Sequence, residues 1–539
     1  MTESSKSHAD VVIMGGGLAG LTLAIQLRQR FADLQVMVLE RQRHPVTEAA
    51  HKVGESSVEI GAHYFDTVLG LKEHLTNQQL KKFGFRFFFS EGSEHIDEVT
   101  ELGASRYLAT PSYQLDRGIF ENDLGAMVRE RGVRFVDGAT VRDVELGTRD
   151  IAHRVHYDDA AGTHAIAARW LIDATGRAGL LKRRLDLAEP NAHDANAVWF
   201  RIGARIDVDE WSDDPAWLAR CNPPNRWLST NHLVGDGYWV WLIPLASGSH
   251  SVGIVADATL HPLDTMNTFE KAMTWLAQHQ PRLHRDLQGK RDRLQDFAFF
   301  RRFSYGCKQV FDGARRWALT GEAGLFLDPF YSPGGDFIAI SNTYITELVA
   351  QDRAGQPVAR HAELYQRVYF SFYQAMLPIY VGQYGLFGDP HVLPVKVLWD
   401  YTYYWGVMCQ LFFQRRLADL PALARMQKPL AHAQRLNVEM QRFLRAWSAL
   451  GDRRNPPQML DQAGLPWFAE LNRGLADDLD EAGFRQRMAE TFDQLDALAR
   501  QIVSRATAEH PSLDGSGVLD LIAPDAGRDA TPLLFAEAA

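Results

Sequence analysis

Three glycines carry the most readable chemistry in this chain. Gly15, Gly17 and Gly20 stand in the spacing G-x-G-x-x-G, directly after the apolar run Val11-Val12-Ile13-Met14. A helical pattern, Leu21, Ala24, Ile25 and Leu27, leaves the turn. In that context Gly15 permits the tight turn, Gly17 lets backbone approach a pyrophosphate, and Gly20 lets helix and strand pack closely. The pyrophosphate is expected on the N–H groups at the helix start. A second strand, Gln35 to Leu39, ends in Glu40. That is about 20 residues beyond Gly20, where a carboxylate bonds a ribose hydroxyl. Glu40 would repel a 2′-phosphate, so FAD or NAD fits better than NADP.

Other reactive side chains follow in order. Gly54-Glu55-Ser56 precedes a helical pattern through Ile60, Tyr64, Val68 and Leu71, which Ser56 or Ser57 is expected to cap. Glu55 is either functional or solvated. Lys82 opens a strand in which Phe83, Phe85 and Phe87 alternate on one apolar face. Arg117, at the start of a helix begun by Tyr113 to Phe120, reaches a phosphate through its planar fork or pairs on the helix surface. Trp239 and Trp241 share one face of the strand Trp239 to Pro244, as core or as a pocket wall. Gly334 and Gly335 open a helix running Phe337 to Val349. Their N–H groups at its positive end suit an anion or a ring carbonyl, unless the segment is a plain Pro-Gly turn.

These groups need an α/β framework. The fold expected is a Rossmann-type dinucleotide-binding domain over residues 1–350, with a mostly antiparallel substrate-side sheet inserted at about 190–305. The runs Ala197 to Ile206 and Tyr238 to Leu245 alternate apolar and polar. A helical C-terminal region over 351–510 covers substrate, with patterns at Tyr365 to Met376, Pro394 to Phe413, Ala431 to Leu450 and Glu481 to Ile502. A loosely held tail over 511–539 ends the chain. The 539 residues suffice for two to four domains. A net charge of −10 argues against nucleic acid as a partner. Three cysteines without close spacing, Cys221, Cys307 and Cys409, suggest reduced thiols and no metal site, and hence a cytoplasmic protein. The polar start carries no signal peptide. No apolar run is long enough to span a bilayer.

Taken in order, these motifs resemble the flavin-dependent halogenases, the group of tryptophan and phenol halogenases. The glycine fingerprint, Glu40, Arg117, Asp173-Ala174-Thr175-Gly176 and Gly321-Glu322-Ala323 are shared with the wider para-hydroxybenzoate hydroxylase-like FAD superfamily. More specific is W-x-W-x-I-P, met by Trp239, Trp241, Ile243 and Pro244. Gly54-Glu55-Ser56 is similar to the family's G-E-S/A-T segment. The family's catalytic lysine precedes an aromatic strand, a pattern that Lys82 fits best and Lys81 and Lys52 less well.

The resemblance implies FAD, used as FADH2, and a halide ion. It implies cofactor contacts at Gly15, Gly17, Leu18, Ala19, Gly20, Glu40 and Arg41, then at Glu55, Ser56, Arg117 and Val141, and at Asp328 and Gly335. It implies hypohalous acid, made at the flavin and aimed by Lys82 at an electron-rich arene such as an indole, phenol or pyrrole, free or carried by a carrier protein. The paired tryptophans would keep organic substrate from the flavin. Only one dinucleotide fingerprint is visible, and the resemblance implies a separate flavin reductase. Two departures stand out. Tyr331 replaces the second glutamate of the tryptophan halogenases, which implies an activated substrate. The halide segment reads Pro333-Gly334-Gly335, and Pro333 has no N–H. One donor fewer weakens the grip on chloride more than on bromide, so bromination is expected. The competing expectations are an aromatic monooxygenase or a reductase using NAD(P)H, and a flavin-binding protein without turnover.

Overall fold

The computed structural model describes residues 8–49, 52–148, 150–451, 453–524 and 531–536. The start at 1–7, and 525–530 and 537–539 of the expected tail, lie outside the described residues. The chain forms two compact units, each assembled from three segments.

The first unit comprises residues 1–79, 115–192 and 304–371. Its main sheet runs Phe311–Asp312, Trp317–Leu319, Gly162–Asp173, His8–Met14, Val36–Glu40 and Arg134–Asp137. All neighbours are parallel except the first pair. Val11, Val12, Ile13 and Met14 are all fully buried, as a central parallel strand requires, since both of its faces are covered. The helices Leu18–Arg30, Arg117–Glu130 and Gly334–Arg353 pack about this sheet. The strands Thr140–Glu145 and His153–Asp159 join the far part of Gly162–Asp173 as an antiparallel meander.

Two local expectations in this unit are corrected. The helix after Gly54 begins only at Glu59, and its N-cap is Val58 with no side-chain bond. Ser56 and Ser57 are buried in the extended segment before it, so neither caps it. After His63 the helix widens into a π turn, Tyr64–Val68. The second helix starts at Arg117, because Tyr113–Gln114 is instead a short strand paired with Leu80–Lys81 in the second unit.

The second unit comprises 80–114, 193–303 and 372–539. Its sheet runs Leu294–Phe300, Ala195–Ile202, His250–Asp257, Tyr238–Pro244, Thr230–Gly235, Phe85–Phe88, Glu101–Gly103 and Met459–Asp461. Pairing is antiparallel except between Thr230–Gly235 and Phe85–Phe88, and between the last two strands. Val198, Phe200, Val240, Leu242, Val252 and Ile254 project into one core with the helices Phe269–His279 and Pro281–Gln288. The runs read as alternating apolar and polar are buried on both faces: Ala195–Ile202 and Tyr238–Pro244 are buried throughout. The face opposite the core carries Trp199, His232, Trp239 and Trp241.

The helical part of this unit contains Val392–Tyr403, Gln427–Ser448, Pro466–Arg473 and Glu481–Glu509. Lys396 is fully buried there and donates to Asp400 and to Gln441, both at 2.7 Å. The helix expected without a break from Pro394 to Phe413 is interrupted by a π turn, Tyr404–Cys409. No helix among the described residues is long and apolar enough to cross a membrane.

Candidate functional site

In the first unit the glycine turn lies at the C-terminal ends of the strands His8–Met14 and Val36–Glu40, where such sheets bind ligands. The Gly15 N–H donates to the Leu39 carbonyl at 2.8 Å, and the Ala174 N–H to the Met14 carbonyl at 2.8 Å. Gly15 has φ +111°, and a Cβ there would run into the Ala174 carbonyl. A Cβ on Gly20 would collide with the Gly15 carbonyl. Gly17 differs from both. It is the N-cap of Leu18–Arg30 with φ −84°, and a Cβ there would meet only Glu121 Oε1, at 3.9 Å. Its smallness is therefore not needed by the fold. Open space over a helix N-terminus, with the Leu18 and Ala19 amides in its first turn, fits a pyrophosphate.

Glu40 is held by main chain: its Oε2 accepts from Gly16 N–H at 2.6 Å and its Oε1 from Gln42 N–H at 2.7 Å. Each carboxylate oxygen keeps a further lone pair for a ribose hydroxyl. These features together fit an adenine dinucleotide such as FAD. Arg41 is exposed beside Glu40, and Val141 is paired with Tyr157 in the meander.

Arg117 reaches back to the Gly54 segment. It donates to the Val53 carbonyl at 2.6 Å and to Glu121 Oε1 at 2.5 Å. Lys52 also pairs with Glu121. Sequence reading missed Glu121, which lies one helical turn past Arg117 and whose side chain is 1% exposed. Glu55 is buried, and its carbonyl accepts from Leu115 N–H. Asp173 Oδ1 accepts from the Thr175 N–H and hydroxyl, and its Oδ2 from Leu181 N–H. Burial raises its pKa against those three hydrogen bonds.

The segment Pro333-Gly334-Gly335, expected to face a halide, lies in the same unit. The helix starts at Gly334, with Pro333 as its N-cap. Gly334 and Gly335 are thus its first residues, whose N–H groups have no partner within the helix. Ser332 sits at φ +53°, a conformation rare for a residue other than glycine. Gly335 and Gly61 let two helices meet closely, and Gly61 N–H donates to Asp336 Oδ1 at 2.8 Å. Asp328 is buried and accepts from Phe330 N–H. Tyr331 packs on Phe330, with ring centroids 4.7 Å apart.

The second unit separates the three candidate lysines. Lys52 belongs to the first unit and is paired, and Lys81 is exposed with its ammonium 4.8 Å from the Tyr107 ring centroid. Lys82 is 3% exposed, and its ammonium lies 3.4 Å from the Phe85 ring centroid. Aromatic rings extend from there in two directions. Phe85 is 5.3 Å from His232, which is 5.3 Å from Trp239, which is 5.7 Å from Trp241. Phe85 is also 6.3 Å from Tyr401, which is 4.4 Å from Trp405. Trp239 donates to Tyr384 Oη and Trp241 to Ser251 Oγ, so both indoles are fixed. Ile243 and Pro244 continue the strand, buried.

The strand at Lys82 is not one-faced as expected. It begins at Phe85, and Arg86 within it is fully buried. Arg86 pairs with Glu101, as does Arg226 at 2.9 Å, and Arg226 also donates to Asp209 at 3.0 Å. Burial opposes the Arg226 charge, but the Glu101 carboxylate outweighs it and holds the pKa above the ordinary range. This ion cluster, invisible as an alternation of apolar residues, anchors the strand Phe85–Phe88, which begins three residues after Lys82.

The model of the FAD binding domain family matches residues 8–291. A flavin-dependent halogenase, chlA, of Dictyostelium discoideum is 25% identical to this chain, over 70% of this chain and 72% of that protein. The 1H-pyrrole-2-carbonyl-(peptidyl-carrier protein) brominase of Pseudoalteromonas luteoviolacea is 26% identical, over 61% and 74%. Among solved structures, the halogenase PltM in complex with phloroglucinol and FAD shares the fold. Its TM-score is 0.64 at 17% identity, covering 95% of this chain and 99% of that one. The chain belongs to the FAD binding domain family, as an FAD-dependent oxidoreductase related to the flavin-dependent halogenases.

Proposed function

We propose that this chain halogenates an electron-rich arene, an indole, phenol or pyrrole, with bromide preferred and Lys82 aiming the oxidised halogen. The observation that supports it most is Lys82 itself, a buried lysine whose ammonium lies against the Phe85 ring at the head of a run of aromatic side chains. Bound FADH2, delivered by a separate reductase, supplies with oxygen the oxidising power that turns halide into hypohalous acid. Gly334 and Gly335 hold the halide by their N–H groups, without help from Pro333. The Lys82 ammonium donates to the hypohalous oxygen and makes the halogen more electrophilic, or its amine carries the halogen as a haloamine. The arene carbon bonds to halogen, the O–X bond breaks, and the lost ring proton and hydroxide leave as water. Tyr331, in place of a second carboxylate, limits the reaction to rings that need little help in losing that proton. The carrier-tethered pyrrole is the named substrate of one relative, and a carrier protein is a candidate partner here too.

The test is mass spectrometry of products from indoles, phenols and pyrroles, given FAD, a flavin reductase, NADH, oxygen and bromide. Brominated products are expected, with bromide turnover above chloride at matched concentrations. Equal rates overturn the halide preference. Unaided NADPH oxidation with a hydroxylated product overturns the reading in favour of a monooxygenase.

A further inference from the structure

Among the buried polar atoms of the second unit's helical part that lack hydrogen-bond partners within the described residues, four belong to three residues on neighbouring elements. They are Nε1 of Trp405, Nε2 and Oε1 of Gln410, and Nδ2 of Asn472. Gln410 and Asn472 are 0% exposed and Trp405 is 1% exposed. An unmet buried polar group forfeits its hydration without recompense, and native folds rarely leave one without a reason.

Their placement follows from the backbone. Tyr401 and Trp405 are a helical turn apart, and their rings touch. The helix then widens into the π turn Tyr404–Cys409, in which residues five apart share a face. By that spacing Gln410, five residues on from Trp405, is placed on the same face as Trp405. On the helix Pro466–Arg473, Phe468 and Asn472 likewise share a face. The Phe468 ring lies 4.7 Å from Trp405 and 5.6 Å from Tyr401. The helix Gln410–Phe413 packs against the turn Gly474–Ala476, just past Asn472. Tyr401 leads back to Phe85 and so to the Lys82 ammonium. One run of aromatic rings therefore connects the proposed aiming lysine to Trp405, on the π turn that precedes Gln410, and to Phe468, on the helix of Asn472.

We propose that Gln410, Asn472 and Trp405 determine which arene is accepted, by binding a neutral ring substituent that both accepts and donates hydrogen bonds, as a hydroxyl or carboxamide does. This rests on the reading of Lys82 above and names its substrate class. Three of the four atoms are donors and one is an acceptor. A hydroxyl oxygen accepts from the donors and returns its proton to Gln410 Oε1. The flat rings of Tyr401, Trp405 and Phe468 stack on the arene, and Lys82 meets the carbon to be halogenated.

The experiment uses FAD-loaded protein and two probes, resorcinol and its dimethyl ether, with binding followed by tryptophan fluorescence. The wild type is expected to bind resorcinol more tightly than the ether by about tenfold or more. Gln410→Leu, Gln410→Glu and Asn472→Asp should each bring that ratio toward one. The two carboxylate swaps keep the side-chain shape, and Asn472→Asp keeps the Oδ1 that accepts from Thr110 N–H. They therefore decide the matter even where Gln410→Leu does not fold. A wild type without discrimination, or variants that keep the ratio and shift only the melting temperature, overturns the proposal. Lys82→Ala keeps the two failures apart. It should lose bromination and keep the binding ratio, whereas sustained bromination sinks the parent reading and leaves the ratio to report on Gln410.

Discussion

The nucleotide cradle is built from main chain, and the lysine site from side chains. In the cradle the working parts are a turn at Gly15, open space at Gly17, helix amides at Leu18 and Ala19, and a carboxylate, Glu40, that main chain itself orients. At the proposed Lys82 site the parts are rings running outward from Phe85 through His232, Trp239 and Tyr401, each from a different element. Main-chain sites are specified by a short contiguous motif and tolerate varied side chains elsewhere. Side-chain sites are specified by packing, and change with any element that contributes a ring. A family can thus keep one cofactor while varying its substrate.

The largest expected effect breaks the second site and spares the first. Lys82→Ala should lower bromination by about 10³-fold, the range for removing a group that acts on the reacting atoms. FAD affinity, read by flavin fluorescence, should not move. An unchanged product yield removes Lys82 from the chemistry.

The next effect concerns the strand Phe85–Phe88, which begins three residues after that lysine. Glu101 neutralises two fully buried guanidinium groups, Arg86 and Arg226. Glu101→Gln leaves Arg86 without its carboxylate and Arg226 with only Asp209, and should cost about 3 kcal/mol or more, by urea denaturation. A loss below about 1 kcal/mol would mean that water enters the cluster, as at an exposed pair.

The cradle gives a smaller and cleaner effect. Gly17→Val should weaken FAD binding by about 100-fold, because the side chain occupies the space over the helix amides. The apoprotein should keep its melting temperature, since φ at Gly17 is ordinary and a Cβ meets little. Gly20→Val should instead lower that temperature, because it strikes the Gly15 carbonyl. If both variants unfold alike, Gly17 serves packing and not a ligand.

The same contrast explains what could be read from the sequence. The strand, glycine turn, helix and Glu40 of the cradle lie within 30 residues, from Val11 to Glu40, and local patterning predicts them. Trp239 and Trp241 were legible as sharing one face, because period two needs no tertiary information. Lys82 could be singled out only by resemblance, because nothing in the local pattern tells it from the exposed Lys81 beside it. The ion pairs of Arg86 lay hidden among five phenylalanines, Phe83 to Phe89, and those of Glu121 inside a helix that reads as amphipathic. The π turn at Tyr404 to Cys409 was missed because a one-residue widening leaves the apolar pattern nearly intact. Tertiary packing selects it, and Gln410 takes its place from it.

The smallest effect tests whether acid distinguishes the sheet of the lysine site. His250 is fully buried on the strand His250–Asp257, and its Nδ1 accepts from Ile206 N–H at 3.2 Å. Burial, aided by Lys290 and Arg205, pushes its pKa down to about 3 from an ordinary 6.5. Below pH 6.5 the unfolded chain takes up a proton that the folded chain refuses. Stability contributed by the neutral ring is therefore complete above 6.5 and is lost as pH falls, at about 1.4 kcal/mol per pH unit, until the folded form protonates near pH 3. Between pH 7 and 5 this one residue should account for about 2 kcal/mol of lost stability. His250→Gln does not titrate, and its amide oxygen can still accept from Ile206. Urea denaturation at pH 7 and at pH 5 should show the wild type losing more than the variant by that amount. Equal losses would mean that His250 protonates in the folded sheet, and that the interior behind Trp241 is open to water.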